Sequence, residues 1–271
     1  MGMTSRDLKA AFNTAITAAK AAGALMRKHL AKTKNVNSAT QYDIKLELDV
    51  KSQKLIERTL RKSDPEIPIL GEEGILGDPD SEYRWIVDPI DGTVNYAYGI
   101  PHSCVCIALQ RKRTGRAKRS DIYGAETLIG ITYDPFLDEL WTAEAGKPAR
   151  CNGRKISVSD RSNLKEAIIT MGFSKKAMSM SKALPSFTSL IPRVRKVRMF
   201  GSAGLSLAWI AAGRIDAYLE AGVRIWDIAA GSLLIQQAGG EFWHQNIAGD
   251  YAVEMIASNG RLRRKLQLKM T

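Results

Sequence analysis

The hydrophobic pattern of this chain changes type near its middle, and this change limits most strongly the folds it can adopt. Apolar side chains recur at helical spacing over residues 4–30, after a capping pattern of Thr4 and Asp7, and again over 49–60. Runs rich in β-branched and aromatic residues then predict strands at 67–70, 85–87, 103–110, 128–133 and 139–143. The remainder alternates, with strands predicted at 167–171, 217–219 and 253–257, helices at 205–212 and 228–237, and a basic helix at the end.

This order predicts two parts that together form one compact unit. Residues 1–150 form a helix pair and an antiparallel sheet, and residues 151–271 form an α/β part, with the boundary near 146–148. The chain has 271 residues, of which 45% are hydrophobic and 25% charged. This balance is close to the globular average and excludes a disordered or collagen-like chain. The length allows a sizeable core without disulfides.

Cysteine usage and the N-terminus indicate the compartment. Cys104, Cys106 and Cys151 are odd in number and form no C-x-x-C pair, so we interpret them as buried thiols in a reducing cytosol rather than as a redox or metal site. The first 30 residues lack the long apolar run of a secretion signal, and no segment has about 18 consecutive apolar residues. These features predict a cytoplasmic protein with no membrane partner.

The segment 85–95 carries the most chemical information. An apolar strand leads into Asp88, Pro89 fixes a turn, and Asp91 follows three residues after Asp88. Two carboxylates on such a turn can converge on one hard divalent cation, and Mg²⁺ is typically held by a few carboxylates plus water and phosphate. The free backbone N–H groups of Gly92 and Thr93 suit a phosphate oxygen. Alternatively, Thr93 is an ordinary helix cap and Asp91 an ordinary turn residue.

Two further acidic segments are candidates for the same site. Glu72 and Glu73 end a predicted strand, although an isolated pair of this kind is also typical of a solvated loop. Asp227 follows Trp226 and precedes a helix start of small residues, Ala229 to Gly231, that permits close packing. Its alternative interpretation is a helix cap beside a buried tryptophan.

Taken together, the motifs at 71–73, 88–93 and 226–231 resemble the three signature motifs of the inositol monophosphatase family, in the family's order and separation. The similarity extends over nearly the whole chain, from the first helix to residues 258–260. The resemblance implies a layered αβαβα sandwich of the inositol monophosphatase and fructose-1,6-bisphosphatase type, within the α+β class. It also implies a Mg²⁺-dependent, lithium-sensitive phosphatase that forms a homodimer.

The resemblance also implies a role for each matching residue. The implied metal ligands are Glu72, Asp88 and the Ile90 carbonyl for a first Mg²⁺, and Asp88, Asp91 and Asp227 for a second, with a third, weaker ion facing Glu72 through water. Asp49 and Thr93 would orient or deprotonate the attacking water. The implied substrate contacts are Asp91, Gly201, Ala203, Glu220 and Asp227 for hydroxyl groups, and the amides of Gly92 and Thr93 for phosphate. Residues 1–150 thus carry most metal ligands, and residues 151–271 carry Glu220 and Asp227.

The resemblance therefore implies metal-assisted hydrolysis of myo-inositol 1-phosphate or a closely related sugar or cyclitol monophosphate. Fructose-1,6-bisphosphatase and histidinol-phosphate phosphatase activities are the enzymatic alternatives. The chain departs from the family at Leu46 and Glu47, where a Val-Thr pair is common before Asp49. Arg224, three residues before Asp227, could either bind a second anionic group of the substrate or pair with a neighbouring acid.

The net charge of +12 suggests a second class of function. Three segments, 111–119, 193–198 and 261–269, are rich in Lys and Arg and contain no acidic residue, so the surplus is local. Binding of nucleic acid or of an acidic partner through these segments is the non-enzymatic alternative. We favour the enzyme, because single-strand binders place aromatic residues among their basic ones and residues 111–119 contain none.

Overall fold

The structure, a computed structural model, describes residues 2–34, 36–39, 44–116, 118, 121–173, 184–185, 187–247 and 251–266. The α-helices that frame the fold are α1 (Ser5–His29), α2 (Glu47–Leu60), α3 (Thr93–Ala97), α4 (Ala203–Ala211) and α5 (Ile225–Gln237), and residues 187–190 are also helical. Strands β1 (Val36–Ala39) and β2 (Ile44–Leu46) form an antiparallel pair.

Two larger sheets carry the rest. Sheet I contains β3 (Ile69–Gly71), β4 (Gly74–Leu76), β5 (Tyr83–Asp91), β6 (Cys104–Lys112), β7 (Ala125–Asp134), β8 (Glu139–Glu144), β9 (Arg150–Cys151) and β10 (Arg154–Lys155). Its strand order is β10-β9-β8-β7-β6-β5-β3-β4. Sheet II contains β11 (Ile168–Phe173), β12 (Lys196–Arg198), β13 (Ala217–Arg224), β14 (Glu241–Asn246) and β15 (Ala252–Ser258). Its order is β12-β11-β13-β15-β14.

Helix α1 begins at a reciprocal cap. The Thr4 side chain accepts a hydrogen bond from the Asp7 backbone, and the Asp7 carboxylate accepts one from the Thr4 backbone. Such a cap is worth about 1 kcal/mol. The buried stripe of α1 is mostly alanine, which lets the helix lie close to sheet I, and a Cβ at Gly23 would stand only 2.5 Å from the Tyr133 ring. Helices α1 and α2 therefore cover one face of sheet I.

One parallel pair in sheet I decides where acidic side chains meet. Strand β3 runs parallel to β5, with Ile69 opposite Trp85 and Gly71 opposite Val87, whereas β5, β6, β7 and β8 are antiparallel neighbours. The end of β3 therefore lies beside the middle of β5. The pairing of β5 with β6 is irregular between Asp88 and Asp91, because a bulge there accommodates the intervening proline. The sheet predicted as antiparallel is thus mixed.

Helices α4 and α5 form a layer between the two sheets. They pack against each other and share one hydrophobic core with residues of both sheets. Small residues permit this approach: a Cβ at Gly231 would stand 2.5 Å from the Leu207 Cβ, and one at Gly130 would stand 2.6 Å from the Ala230 carbonyl oxygen. The small residues at the start of α5 therefore pack closely against both α4 and sheet I, as the sequence suggested.

The structure differs from the predicted pattern at two places. The expected boundary at 146–148 lies in the turn between β8 and β9, and both strands belong to sheet I, which continues to Lys155. The expected basic helix at the C-terminus is wrong for its described part, where Arg263–Leu266 forms a single 3₁₀ turn; residues 267–271 lie outside the described residues. Among the described helices, none is long and apolar enough to cross a membrane.

Candidate active site

A cavity of about 430 Å³ opens where the two sheets meet the starts of α3, α4 and α5. The expected site residues on its wall are Glu72, Asp88, Ile90, Asp91, Gly92, Thr93, Gly201, Ala203, Glu220 and Asp227. They come from chain segments that are far apart in sequence. Asp49 and Arg224 are not on the wall of this cavity.

Three aspartates meet in this cavity. Asp88 and Asp91 lie on either side of the bulge in β5, and Asp227 lies in the first turn of α5. One carboxylate oxygen from each lies within 4.8 Å of the others. The backbone N–H of Arg224 donates to Asp227 Oδ2 at 2.9 Å, and the N–H of Ile90 donates to Asp88 Oδ1 at 2.9 Å, so both carboxylates are held by the backbone.

The electrostatics of this cluster oppose full ionisation. Burial raises the pKa of Asp88 well above its usual value, and the charges of Glu72, Asp91 and Asp227 raise it further. Burial likewise raises the pKa of Asp227 to about 8, and Asp91 adds to the rise. Like charges so close together are stable only with protons or cations between them. The donor set consists of hard oxygen ligands and is short of positive charge, so it fits a divalent cation.

Asp91 is the most extensively hydrogen-bonded of the three. Its carboxylate accepts from the Ser202 hydroxyl, from the Ala203 N–H at 3.1 Å, from the Gly204 N–H at 2.8 Å and from the Cys104 thiol at 3.4 Å. Burial raises the pKa of Asp91, and these bonds oppose the rise. Because two of the donors are the first N–H groups of α4, the helix fixes the orientation of this carboxylate.

Glu72 and Glu73 face different environments. The Glu72 N–H donates to the Val87 carbonyl at 3.1 Å, which continues the parallel pairing, and its side chain lies on the cavity wall. Glu73 Oε1 instead lies 3.5 Å from Lys45 Nζ. The Glu73 N–H donates to Gln53 Oε1 at 2.9 Å. The structure therefore separates the two acids, which the sequence alone could not do.

The turn after Asp88 presents backbone groups to the cavity. The Thr93 hydroxyl donates to the Ile90 carbonyl at 2.8 Å. Gly92 has φ 88°, and a Cβ there would stand 3.0 Å from the His102 carbonyl oxygen and 3.1 Å from that of Gly201. A glycine is required at this position, because both the left-handed backbone and the close approach exclude larger residues.

Glu220 lies on the cavity wall at β13, in a half-buried position. Burial raises the pKa of Glu220 to about 7, against the effect of a hydrogen bond from the Tyr218 hydroxyl. Gly172, opposite Glu220 in the parallel pairing of β11 and β13, makes room for this side chain, since a Cβ there would stand 1.8 Å from Glu220 Oε2. The carboxylate can therefore accept hydrogen bonds from a polar ligand in the cavity.

Two expected site residues lie elsewhere. Asp49 is buried in the first turn of α2, where its Oδ2 accepts from the Leu46 N–H at 2.7 Å. Arg224 precedes α5 and is not on the cavity wall; burial raises the pKa of Tyr123, and the positive charge of Arg224 opposes that rise. The structure does not bring either side chain to the cavity wall with the aspartates.

Sequence reasoning missed several residues of this site. Ser202 caps α4 and also donates to Asp91, although it lies between two residues that were selected. Asn95 closes the segment 85–95 and received no role, yet its amide donates to the His102 carbonyl at 2.9 Å and to the Phe200 carbonyl at 2.7 Å. The second of these bonds joins residues 105 positions apart. No local sequence signal reports such a contact.

Comparison with known proteins decides the family. The model of the inositol monophosphatase family matches residues 7–262. The chain belongs to the inositol monophosphatase family. This is a family of metal-dependent phosphatases, and the acidic cluster described above agrees with that chemistry.

Relatives of this family member carry two kinds of name. A protein of Xylella fastidiosa named Nus factor SuhB is 35% identical over 270 residues, covering 96% of this chain and 94% of its own. An inositol-1-monophosphatase of Rhizobium meliloti is 35% identical over 244 residues, covering 89% and 86%. The solved inositol monophosphatase of Anabaena has a TM-score of 0.79 and 32% identity, covering 96% and 94%. The expected layered fold is thus confirmed.

Proposed function

We propose that this chain is a Mg²⁺-dependent phosphomonoesterase that hydrolyses myo-inositol 1-phosphate or a closely related sugar or cyclitol monophosphate. The observation that carries the proposal is the convergence of Asp88, Asp91 and Asp227 within 4.8 Å on the wall of a cavity that also holds Glu72. Their oxygens suit a small, hard cation, and their raised pKa values mark a cluster that lacks compensating charge. The family name and the inositol-phosphatase relatives support the substrate class.

Two or three Mg²⁺ ions are assigned to these residues. Glu72, Asp88 and the Ile90 carbonyl would hold one ion, Asp88, Asp91 and Asp227 a second, and Glu72 would face a third through water. Bound Mg²⁺ neutralises phosphate charge and activates a water molecule for attack. Inhibition by Li⁺ and assembly as a homodimer belong to the same proposal.

The residues of the chain orient the reactants. The Thr93 hydroxyl donates its hydrogen bond to the Ile90 carbonyl. Its oxygen can therefore accept a hydrogen bond from the attacking water and so orient that water. The backbone N–H groups of Gly92 and Thr93 are assigned to phosphate oxygens. Asp49 was expected to assist Thr93, but its position in α2 leaves the contact with water to Thr93 in this proposal.

The substrate hydroxyl groups are assigned to the other side of the cavity. Glu220 accepts hydrogen bonds there, and Gly201 and Ala203 offer backbone groups on the same wall. Asp91 and Asp227, shared with the metal ions, complete the set. Binding several hydroxyl groups in this way would favour a cyclitol or sugar over a smaller phosphate ester, because each unpaired buried polar group lowers affinity.

A phosphate-release panel tests the proposal. Purified protein with Mg²⁺ is assayed on myo-inositol 1-phosphate, fructose 1,6-bisphosphate and histidinol phosphate, with and without Li⁺. The highest kcat/KM is expected for the inositol ester, with inhibition by Li⁺. Phosphate release from fructose 1,6-bisphosphate or histidinol phosphate alone would show that this ester, and not the inositol ester, is the substrate. No release from any ester would refute the phosphatase proposal.

A second candidate function is binding of an acidic partner. The structure joins two of the three basic segments, since Arg193 donates to the Lys265 carbonyl at 3.4 Å. The third segment is partly neutralised, because Arg113 pairs with Asp121 and Arg111 with Glu126. Some relatives are named Nus factor SuhB rather than phosphatase, and this name supports a binding function as a candidate. Association that weakens steeply with salt would support it, and salt-independent or absent association would exclude it.

A further inference from the structure

Cys104 and Cys106 lie directly behind the aspartate cluster. The two cysteines occupy alternate positions of β6, are fully buried, and project into the core shared with α4. The Cys104 thiol donates to Asp91 Oδ2 at 3.4 Å, and the two sulfur atoms are 3.7 Å apart. Asp91 therefore touches two environments, the other aspartates on one side and a pair of thiols on the other.

Two of the three distances among these side chains match a tetrahedral metal site. Zinc bonded to sulfur at about 2.3 Å and to oxygen at about 2.0 Å places two sulfurs roughly 3.8 Å apart and a sulfur and an oxygen roughly 3.5 Å apart. The observed separations are 3.7 Å and 3.4 Å. One ligand atom each from Asp91, Cys104 and Cys106 lies within 4.8 Å of the others.

The surroundings provide space and further oxygen atoms. A Cβ at Gly204 would stand 2.4 Å from Cys106 Sγ and 2.9 Å from Cys104 Sγ, so glycine at this position of α4 makes room for the sulfurs. The hydroxyl of Ser202 lies 3.8 Å from Cys104 Sγ, and that of Thr132 lies 3.9 Å from Cys106 Sγ. Either hydroxyl is close enough to offer a fourth ligand after a small shift.

We propose that Asp91, Cys104 and Cys106 form a binding site for Zn²⁺ or another thiophilic divalent cation. Thiolates select soft and borderline cations over Mg²⁺, so this site differs in preference from the all-oxygen cluster beside it. Asp91 lies on the cavity wall, and binding of the ion displaces the two thiol protons. The two cysteines are free and buried, as expected from the sequence, and the proposal adds metal binding to that description.

Occupancy of this site has a consequence for catalysis that rests on the proposed phosphatase function. Asp91 belongs to both ligand sets, and a zinc ion held by the thiolates draws its carboxylate away from Asp88 and Asp227. Zn²⁺ therefore inhibits the enzyme in the presence of saturating Mg²⁺. Removal of both thiols relieves this inhibition, measured within each protein as the ratio of activity with Zn²⁺ to activity without it.

Cadmium titration tests the binding site without reference to activity. Cd²⁺ bound by thiolates has an ultraviolet charge-transfer absorption that Cd²⁺ bound by carboxylates lacks. The wild-type protein and the Cys151→Ala variant, which keeps the pair, are expected to show this absorption up to about one equivalent of Cd²⁺. The double variant Cys104→Ala/Cys106→Ala retains Cys151 and is expected to lose the absorption, with binding weakened at least about 100-fold.

The same proteins distinguish failure of this inference from failure of the phosphatase proposal. Equal absorption in wild type and double variant, or none in wild type, overturns the thiolate site and identifies a hydrogen-bonded thiol cluster. Absorption without any phosphate release upholds the site and refutes only the catalytic proposal. The single variant Cys106→Ser preserves volume near Thr132, and is expected to reduce the absorption if the double variant does not fold.

Discussion

The two sides of the cavity are built in different ways. The side proposed to bind metal, here called the metal wall, consists of Glu72 at the end of β3 and Asp88, Ile90 and Asp91 of the adjacent strand β5, which are positioned by strand register and backbone hydrogen bonds. The side proposed to bind substrate, here called the substrate wall, is gathered from β11, β13 and the segment before α4 and consists of Thr170, Met171, Met199, Gly201, Tyr218 and Glu220. Asp227 of α5 joins the two walls. The turn from Asp88 to Asp91 is thus locally encoded and Glu72 joins it through the pairing of β3 with β5, whereas the substrate wall depends on how sheet II packs.

This contrast separates catalytic power from selectivity. Met199 on the substrate wall is 62% exposed, whereas Asp88 on the metal wall is 1% exposed. Changes in the buried metal wall should abolish turnover with every substrate. Changes in the substrate wall should alter which ester is preferred.

The largest effect is expected for Asp88→Asn. This substitution keeps the volume of the side chain and removes a charge assigned to both Mg²⁺ ions, so kcat/KM should fall about 1000-fold or more, equivalent to ~4 kcal/mol. Phosphate release is measured, and circular dichroism checks that the fold is retained. A folded variant with near-normal activity would remove Asp88 from the metal wall.

The next largest effect on kcat/KM is expected for Glu72→Gln, with Glu73→Gln as its comparison. Only Glu72 lies on the cavity wall, whereas Glu73 lies beside Lys45. Glu72→Gln is expected to lower kcat/KM about 100-fold, and Glu73→Gln to change it less than about threefold. Adjacent positions and the same chemical change make this a matched pair. The reverse order of effects would show that the other acid serves the metal.

On the substrate wall, Glu220→Gln is expected to act on binding. The amide keeps the size of the side chain but loses one acceptor for substrate hydroxyl groups, so KM should rise about 10-fold while kcat changes little. Steady-state kinetics on inositol and fructose esters measure the split. A loss confined to kcat would place Glu220 with the metal wall and contradict the division.

The pH dependence tests the charge of the cluster. Burial raises the pKa of Glu220 to about 7 and that of Asp227 to about 8. Because these two carboxyl groups hold their protons more tightly in the metal-free fold than in the unfolded chain, where their pKa is near 4, protonation favours the fold at low pH. This stabilisation is lost as the pH rises through the folded-state pKa values of about 7 and 8. Mg²⁺ competes with these protons, so the increase in the protein's Tm that added Mg²⁺ produces should be larger at pH ~8.5 than at pH ~5.5. An increment that is constant or shrinks with pH would contradict the cluster's assigned role.

The smallest effect is expected for Arg224→Ala. Arg224 is not on the cavity wall, so kcat/KM for the mono- and bisphosphate esters should both change less than about twofold. The ratio of the two values is the informative measurement. A selective loss of fructose 1,6-bisphosphate hydrolysis would show that Arg224 reaches a second phosphate and belongs to the substrate wall.

The same division explains what the sequence could predict. The turn of Asp88 to Thr93 follows a buried strand, so its acids and its glycine are evident from local pattern. The choice between Glu72 and Glu73 required the parallel pairing of β3 with β5, which no local pattern specifies. The contact of Ser202 with Asp91 joins residues 111 positions apart. Arg224 precedes Asp227 closely in sequence but lies outside the cavity, because strand and helix turn successive side chains to different faces.

The most direct test of the central claim is a Mg²⁺ titration of phosphate release from myo-inositol 1-phosphate, run in parallel on wild type and Asp88→Asn. The account predicts no release without a divalent cation, release that rises and saturates with Mg²⁺ in wild type, and at most about a thousandth of that rate in the variant. Mg²⁺-independent release, or equal release by both proteins, would contradict the claim that the Asp88, Asp91 and Asp227 cluster is a catalytic magnesium centre.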